Sequence, residues 1–359
     1  MCIRDSIVGV LPGLGPVNGV AMLVPIAFAM GLPPDTALIL LAAVYVGAEY
    51  GGRITSILIN VPGEAAAVMT TLDGYPMARQ GLASVALSLS AWSSFIGSLI
   101  AIIGITAFAP FLARWALAFG PAEYFVLMVF AFCALTSLLG DQPVKGVLAA
   151  AIGLTIATVG VDSNSGVYRY TFDMPHLADG LDFVVVVIGL FAVAEMLQML
   201  ENKLSGISVE VPASERKLFN LKELRFTAGS TARGGLLGFV IGVLPGAGAS
   251  VASAVAYANE KRYSEGRDPN AKFGKGDMRG LTAPEAANNS AATGSFIPML
   301  TLGVPGSGTT AVMMGALTLY NITPGPVLFD QQPELVWGLI ASMFLSLIHI
   351  SEPTRLGMI

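Results

Sequence analysis

Glu49 and Arg53 stand four residues apart within an apolar run over residues 36–60, so a helix there carries both charges on one face. Charges at that depth are costly, and either neutralise one another between helices or serve a bound solute. Arg53 suits an anionic group of a substrate, with Glu49 as its resting partner or as a proton carrier. The run ends at Asn60-Val61-Pro62-Gly63-Glu64, and a matching break reads Gly303-Val304-Pro305-Gly306-Ser307. A second phrase is also spelled twice, as Gly9-Val10-Leu11-Pro12-Gly13-Leu14-Gly15 and Gly242-Val243-Leu244-Pro245-Gly246-Ala247-Gly248. The copies lie 233 residues apart in one phrase (242 minus 9) and 243 in the other (305 minus 62), so a single insertion of ten residues reconciles them. Paired backbone breaks in two half-repeats, each at membrane depth, are the pattern of a solute site built from broken helices.

An anionic solute that enters such a site sheds water, and the site must replace those hydrogen bonds without burying a large positive charge. Backbone N–H groups at Gly13, Gly15, Gly63, Gly246, Gly248 and Gly306 suit that task, because glycine lets a solute approach the backbone closely. Pro62 shapes one turn; the hydroxyls of Ser307, Thr309 and Thr310 and the amides of Asn60, Asn288 and Asn289 complete the expected anion-binding set. Helix starts after these turns carry partial positive charge. The same glycines and prolines also fit a purely structural role in helix crossing and kinking. A coupling cation, sodium or a proton, is expected among oxygen ligands at Glu49, Glu64 and Ser250, since hard cations prefer oxygen. No catalytic residue, resident metal or organic cofactor is expected. His176 lies in an acidic joint and reads as an exposed histidine.

The elements that must hold these residues are membrane helices. Hydrophobic residues make up 54% of the chain and charged residues 12%, against about 25% charge in a soluble domain; mean hydropathy is +0.71. Further apolar spans are expected at residues 83–109, 123–139, 144–161 and 183–200. The first has small residues through its middle (Ser90, Ser93, Ser94, Gly97, Ser98), as close helix packing in lipid requires. Asp73-Gly74-Tyr75-Pro76 reads as a turn. The joint at 162–182 is acidic and that at 202–233 basic, which places the second in the cytoplasm and the first outside. A second basic joint follows at 259–280, so the segment between them, residues 234–258, is expected to enter the bilayer, turn at Pro245-Gly246-Ala247-Gly248 and leave on the same side. Backbone at that depth is tolerated only against protein or a water-filled cavity. Asn288-Asn289-Ser290 is expected to open one helix and Ser307-Gly308-Thr309-Thr310 another.

The fold class expected is an all-α polytopic membrane protein with an internal repeat and re-entrant hairpins. Its divisions are a first half over residues 7–201, a basic cytoplasmic linker over 202–231 and a second half over 232–344. Residues 1–6 and 345–359 read as sequencing-adapter read-through at the two ends of a gene fragment. Cys133 is then a lone packing cysteine.

Several of these stretches in order resemble the large membrane subunit of the tripartite tricarboxylate transporter family. They are the two glycine phrases, extended to Pro16 and Ala249, and residues 50–64 from Tyr50-Gly51-Gly52-Arg53 to Glu64. Thr71-Leu72-Asp73-Gly74-Tyr75-Pro76-Met77-Ala78, Ala283-Pro284-Glu285-Ala286-Ala287-Asn288-Asn289 and Thr301-Leu302-Gly303-Val304-Pro305-Gly306 complete the set. The likeness covers nearly all of residues 7–344. It implies a permease of the bacterial inner membrane that imports a citrate-like carboxylate on an ion gradient, with a periplasmic solute-binding protein and a small membrane subunit, and no nucleic acid. It also implies about a dozen helices, more than this chain holds. A dinucleotide-binding reading of Gly13 and Gly15 fails because Asn18 replaces the third glycine. A serine protease reading of Ser307 lacks a membrane-embedded histidine base. The rivals that stay open are a re-entrant-loop anion channel, since such loops also build selectivity filters, and a membrane subunit that does not itself transport.

Overall fold

The computed structural model describes residues 15–118, 143–161, 167–172, 174–177, 180–181 and 218–350, with scattered residues between 120 and 129 and Leu197. The first glycine phrase up to Leu14, Cys133 and most of the spans expected at 123–139 and 183–200 lie outside them. The described residues are almost entirely helical. Helix α1 (Gly15–Ala29) leads through a short joint to α2 (Pro34–Ile59), the expected first full span. Proline at the first turn and Asp35 beside the positive helix end start α2. Asn60 stops it: at φ 58° the chain turns left-handed, and the N–H groups of Asn60 and Val61 both return to the Thr55 carbonyl.

Helix α3 (Val68–Met77) runs straight through Asp73-Gly74-Tyr75-Pro76, where a turn was expected. The carboxylate of Asp73 is satisfied across helices and not locally. It accepts from the backbone N–H of Gly276 and of Asp277 at 2.8 Å each and from the Tyr257 hydroxyl at 3.0 Å. The reversal comes one turn later, in a wide helical turn Ala78–Leu82 where Gly81 adopts φ 76°. Helix α4 (Ala83–Ala116) follows and extends beyond the span expected. α5 (Pro143–Ala157) is shorter than its expected span, because Gly160–Val161 (β1) leaves the helix and pairs antiparallel with Tyr168–Arg169 (β2).

In the second half α6 (Leu221–Val243) begins inside the stretch expected to be a linker. Asn220 and Glu223 form a reciprocal capping box that starts it there. After the turn at residues 244–247, α7 (Gly248–Glu265) returns. The arms are 23 and 18 residues and extend beyond both ends of the expected segment 234–258. α8 (Met278–Gly294) starts ten residues before Asn288, which places Asn288, Asn289 and Ser290 in mid-helix, all buried. Their polar groups find partners on neighbouring helices, as the Ser290 hydroxyl does on the Gly235 carbonyl at 2.7 Å, so they need not cap a helix. α9 (Phe296–Leu302) ends at Gly303, φ 65°, where the N–H groups of Gly303 and Val304 return to the Pro298 carbonyl. α10 (Gly308–Leu319) starts where expected, with a Ser307 and Thr310 capping box. The short α11 (Leu328–Gln331) and then α12 (Pro333–Ile350) complete the described chain.

The tightest packing joins α4, α6 and α8. Gly234, Gly238 and Gly242 advance in step along Ala283, Ala287 and Ala291, and a Cβ built on each glycine would fall 2.2–2.5 Å from the matching alanine carbonyl oxygen. α6 and α8 therefore run parallel with their backbones in contact, as small residues permit in lipid. Gly97 of α4 meets the Ala286 carbonyl in the same way. α2 runs antiparallel to α8 and α9: Arg53 meets Glu285 near one end, and Tyr45 meets Ser295 and the Phe296 ring further along.

Asp277, at the start of α8, accepts from the backbone N–H of Arg279 and Lys272 and from the Arg279 guanidinium. Burial alone would raise its carboxyl, but these bonds hold it below the usual carboxylate range. A depressed carboxyl contributes stability above its unfolded value of about 3.9, and that contribution is lost as pH falls through the lower folded value. Asp277→Asn is accordingly expected to cost about 1–2 kcal/mol at pH 7, with the melting-temperature gap to the unmodified protein closing as pH drops below about 4.

Candidate functional site

Three helix starts converge on one cavity of about 480 Å³. Gly15, Pro16 and Val17 open α1, Gly248, Ala249 and Ser250 open α7, and Ser307, Gly308 and Thr309 open α10; all nine line the cavity. The helices touch there, with Gly308 against Val17 and Gly248 against Ser307. The first-turn N–H groups of a helix have no carbonyl of their own to bond, and each helix start carries about half a positive charge. The lining also takes residues from α2 and the turn after it: Tyr45, Glu49, Pro62, Gly63 and Glu64.

Sequence reasoning and geometry meet at Gly15, Glu49, Pro62, Gly63, Glu64, Gly246, Gly248, Ser250, Ser307 and Thr309, which all face this cavity. Gly13 lies outside the described residues. Asn60 is exposed at the end of α2, and Gly306 and Thr310 sit behind the lining, where Thr310 closes the α10 capping box. The turns are also tied to one another. The Gly246 N–H donates to the Pro305 carbonyl at 3.1 Å, the Gly248 N–H to the Gly306 carbonyl at 3.2 Å and the Gly63 N–H to the Gly52 carbonyl at 3.2 Å. Those three N–H groups, expected to face an anion, are engaged within the protein, so donors must come from the helix first turns and hydroxyls.

Arg53 does not reach the cavity and does not rest on Glu49. It is 1% exposed, bonded to Glu285 at 2.7 Å, to the carbonyls of Tyr50 and Ser90 at 2.6 and 2.9 Å, and to Ser94. Glu285 also accepts from Thr70, and Asn289 donates to Ser94 at 2.9 Å. Ser94, expected only to let helices approach, is therefore a junction of this network. Glu49 instead stands within hydrogen-bonding reach of Glu64 and Asn288. The Asn288 amide donates to Glu64 at 3.1 Å, behind the cavity wall.

Two participants were missed from the sequence. Tyr45 lines the cavity, and its hydroxyl bonds Ser307 at 3.0 Å and Ser295 at 3.3 Å; its position four residues before Glu49 places it on the same helical face, which was the available signal. Glu285, the partner of Arg53, lies three and four residues before the asparagines Asn288 and Asn289. Among the described residues no group of three or more His, Cys, Asp and Glu gathers in a way that could hold a metal.

Two relatives of Agrobacterium vitis match this chain. An uncharacterized 52.8 kDa protein in the TAR-I ttuC' 3' region is 42% identical over 340 residues, which is 95% of this chain and 66% of the relative. An uncharacterized protein in the TAR-II ttuC' 3' region is 49% identical over 108 residues, 30% of this chain and 43% of that protein. The chain thus spans less than two thirds of the length of either relative. No solved structure matches it. By length and composition, two described helical stretches, Pro34–Ile59 and Val68–Ala116, could cross a membrane. The model of the tripartite tricarboxylate transporter TctA family matches residues 2–351, reaching into both terminal stretches set aside above, and the chain belongs to that family.

Proposed function

We propose that this chain is the permease part of a secondary active importer in the bacterial inner membrane, crossing it several times and taking up a citrate-like carboxylate on a sodium or proton gradient. The observation that carries this reading is the convergence of three helix starts, α1, α7 and α10, on one cavity that Glu49 and Glu64 also line. The anion end comprises the first-turn N–H groups at Gly15 and Gly308 with the hydroxyls of Ser250, Ser307 and Thr309, while Gly248, its N–H held by the Gly306 carbonyl, shapes the start of α7. The turn residues Pro62, Gly63, Gly246 and Gly306 shape it, and Gly13, Asn60, Asn288, Asn289 and Thr310 complete its surroundings. Arg53 acts on the substrate through its hold on Glu285, not by contact. The cation end comprises Glu49 and Glu64, with Ser250 between the two.

The two halves are read as an inverted repeat. Tyr45 and Asn288 are 243 residues apart, and so are Glu64 and Ser307. Tyr45 bonds Ser307 while Asn288 bonds Glu64, a reciprocal exchange between halves. Asn60 and Gly303 likewise hold equivalent left-handed stops, and the equivalent helices run antiparallel. A site at the interface of such repeats suits alternating access. The match to a tripartite transporter family supports delivery by a periplasmic binding protein and a small membrane subunit beside this chain.

The test is uptake of labelled di- and tricarboxylates by the full-length transporter with its binding protein, with and without a sodium gradient. Saturable, gradient-driven uptake that requires the binding protein supports the reading. Conductance without a binding protein would assign a channel. Thr309→Val keeps the shape of the α10 start but removes a donor, and is expected to reduce uptake about tenfold at limiting substrate, the worth of one hydrogen bond to a charged group.

A further inference from the structure

Among the described residues the cavity lining holds two carboxyls, Glu49 and Glu64, that form no ion pair; the cation that acts on Glu49 is Arg53, at electrostatic range. Glu49 is 4% exposed, and its Oε2 has no hydrogen-bond partner in the protein. Asn288 is 1% exposed; its Nδ2 donates to Glu64, and its Oδ1 also has no partner. Glu49 lies within bonding reach of both. A buried carboxylate oxygen of Glu49 and the buried amide oxygen of Asn288 are thus left unpartnered beside the half-buried Glu64, and a buried polar group without a partner is expensive.

The charged and titratable neighbours do not resolve that shortage. From α2, Arg53 bonds Glu285 and Ser94 through Nη1 and leaves Nη2 without a partner, so it acts on Glu49 by its charge and not by a bond, and Tyr45 donates or accepts at Ser307 and Ser295. From α8, Glu285 is spent on Arg53 and Thr70. Neighbouring carboxylates cannot both ionise in such a place unless a positive charge joins them. Unpaired buried oxygens on side chains within bonding reach of one another are what a desolvated cation requires.

We propose that Glu49, Glu64 and Asn288 form a binding site for one compact cation, either a proton shared between the two carboxyls or a sodium ion held by their oxygens. The site adjoins the carboxylate pocket, so its occupant removes the negative charge that would otherwise repel an anionic substrate from the same cavity. This deepens the importer reading and rests on it for the coupling step, though the cation site can be measured without any substrate.

The experiment uses the full-length transporter, purified without substrate or binding protein. One arm raises sodium chloride against choline chloride at pH 8 and follows the melting temperature and binding of radioactive sodium. The other lowers the pH from 8 to 6 in choline chloride and follows the melting temperature. The unmodified protein should gain stability saturably in one arm, which names the cation, as expected for anything that binds only the folded state. Glu64→Gln and Glu49→Gln, each nearly isosteric, should lose that response, with sodium affinity down at least about tenfold if sodium is the occupant. Asp35→Asn, an exposed acid at the start of α2, should keep it. No response of the unmodified protein in either arm, or an undiminished response in either folded variant, would overturn the proposal. Cation binding without carboxylate uptake would leave this site standing and remove the importer.

Discussion

Gly238→Leu yields no properly folded transporter. A Cβ at Gly238 lies 2.4 Å from the Ala287 carbonyl oxygen and 2.5 Å from its Cα, so even the first added carbon meets backbone that cannot rotate aside. A leucine must push α6 from α8 along the seam where Gly234 and Gly242 make the same approach. Overpacking in a core commonly costs about 1–3 kcal/mol, and this seam also sets the turn after α6 against the turn after α9 through Gly246 to Pro305. The expected outcome is loss of the monodisperse peak on size exclusion after solubilisation, with Gly238→Ala intermediate. At Gly338 of α12 an added Cβ would have nothing within 4 Å, so Gly338→Ala should elute and melt as the unmodified protein does. A native elution profile for Gly238→Leu would show that the two backbones are not in contact.

Arg53→Gln is expected to remove about 3–5 kcal/mol of stability, because it leaves Glu285 buried without its cation. Both side chains are 1% exposed, and no water can replace the lost partner. Replacing both, as Arg53→Leu with Glu285→Leu, should recover part of the loss, since an apolar pair of similar volume often matches a buried ion pair. Thermal melting in detergent checks both. If Arg53→Gln melts normally and only substrate affinity falls, Arg53 contacts the substrate and the pairing with Glu285 is incidental to stability.

What could be read from the sequence was local. Proline and glycine at 62–63, 245–246 and 305–306 mark turns: Gly246, at φ 76°, holds an angle few other residues adopt, and at Gly306 a Cβ would meet the Ser295 backbone; Ser307 three residues before Thr310 forms a local capping box. Long-range partners left no such trace. Glu49 and Arg53 look paired by spacing alone, yet Arg53 turns to a glutamate from the other half, which only the packing of α2 on α8 determines. Asn288, Asn289 and Ser290 look like a helix start because water-exposed chains use them so; between helices their polar groups find side chains and carbonyls instead. Asp73 misled for the same reason, its carboxylate being met from residues about two hundred positions later.

That separation bears on biosynthesis. Glu64 meets Asn288 only after 224 further residues have been made, and ribosomes add roughly 5–20 residues per second. For about 10–45 s, then, the newborn first half holds Arg53, Glu49 and Glu64 in or beside the insertion machinery with their counterparts not yet translated. Its early helices must be sheltered, or remain partly outside the bilayer, until the second half emerges to receive them.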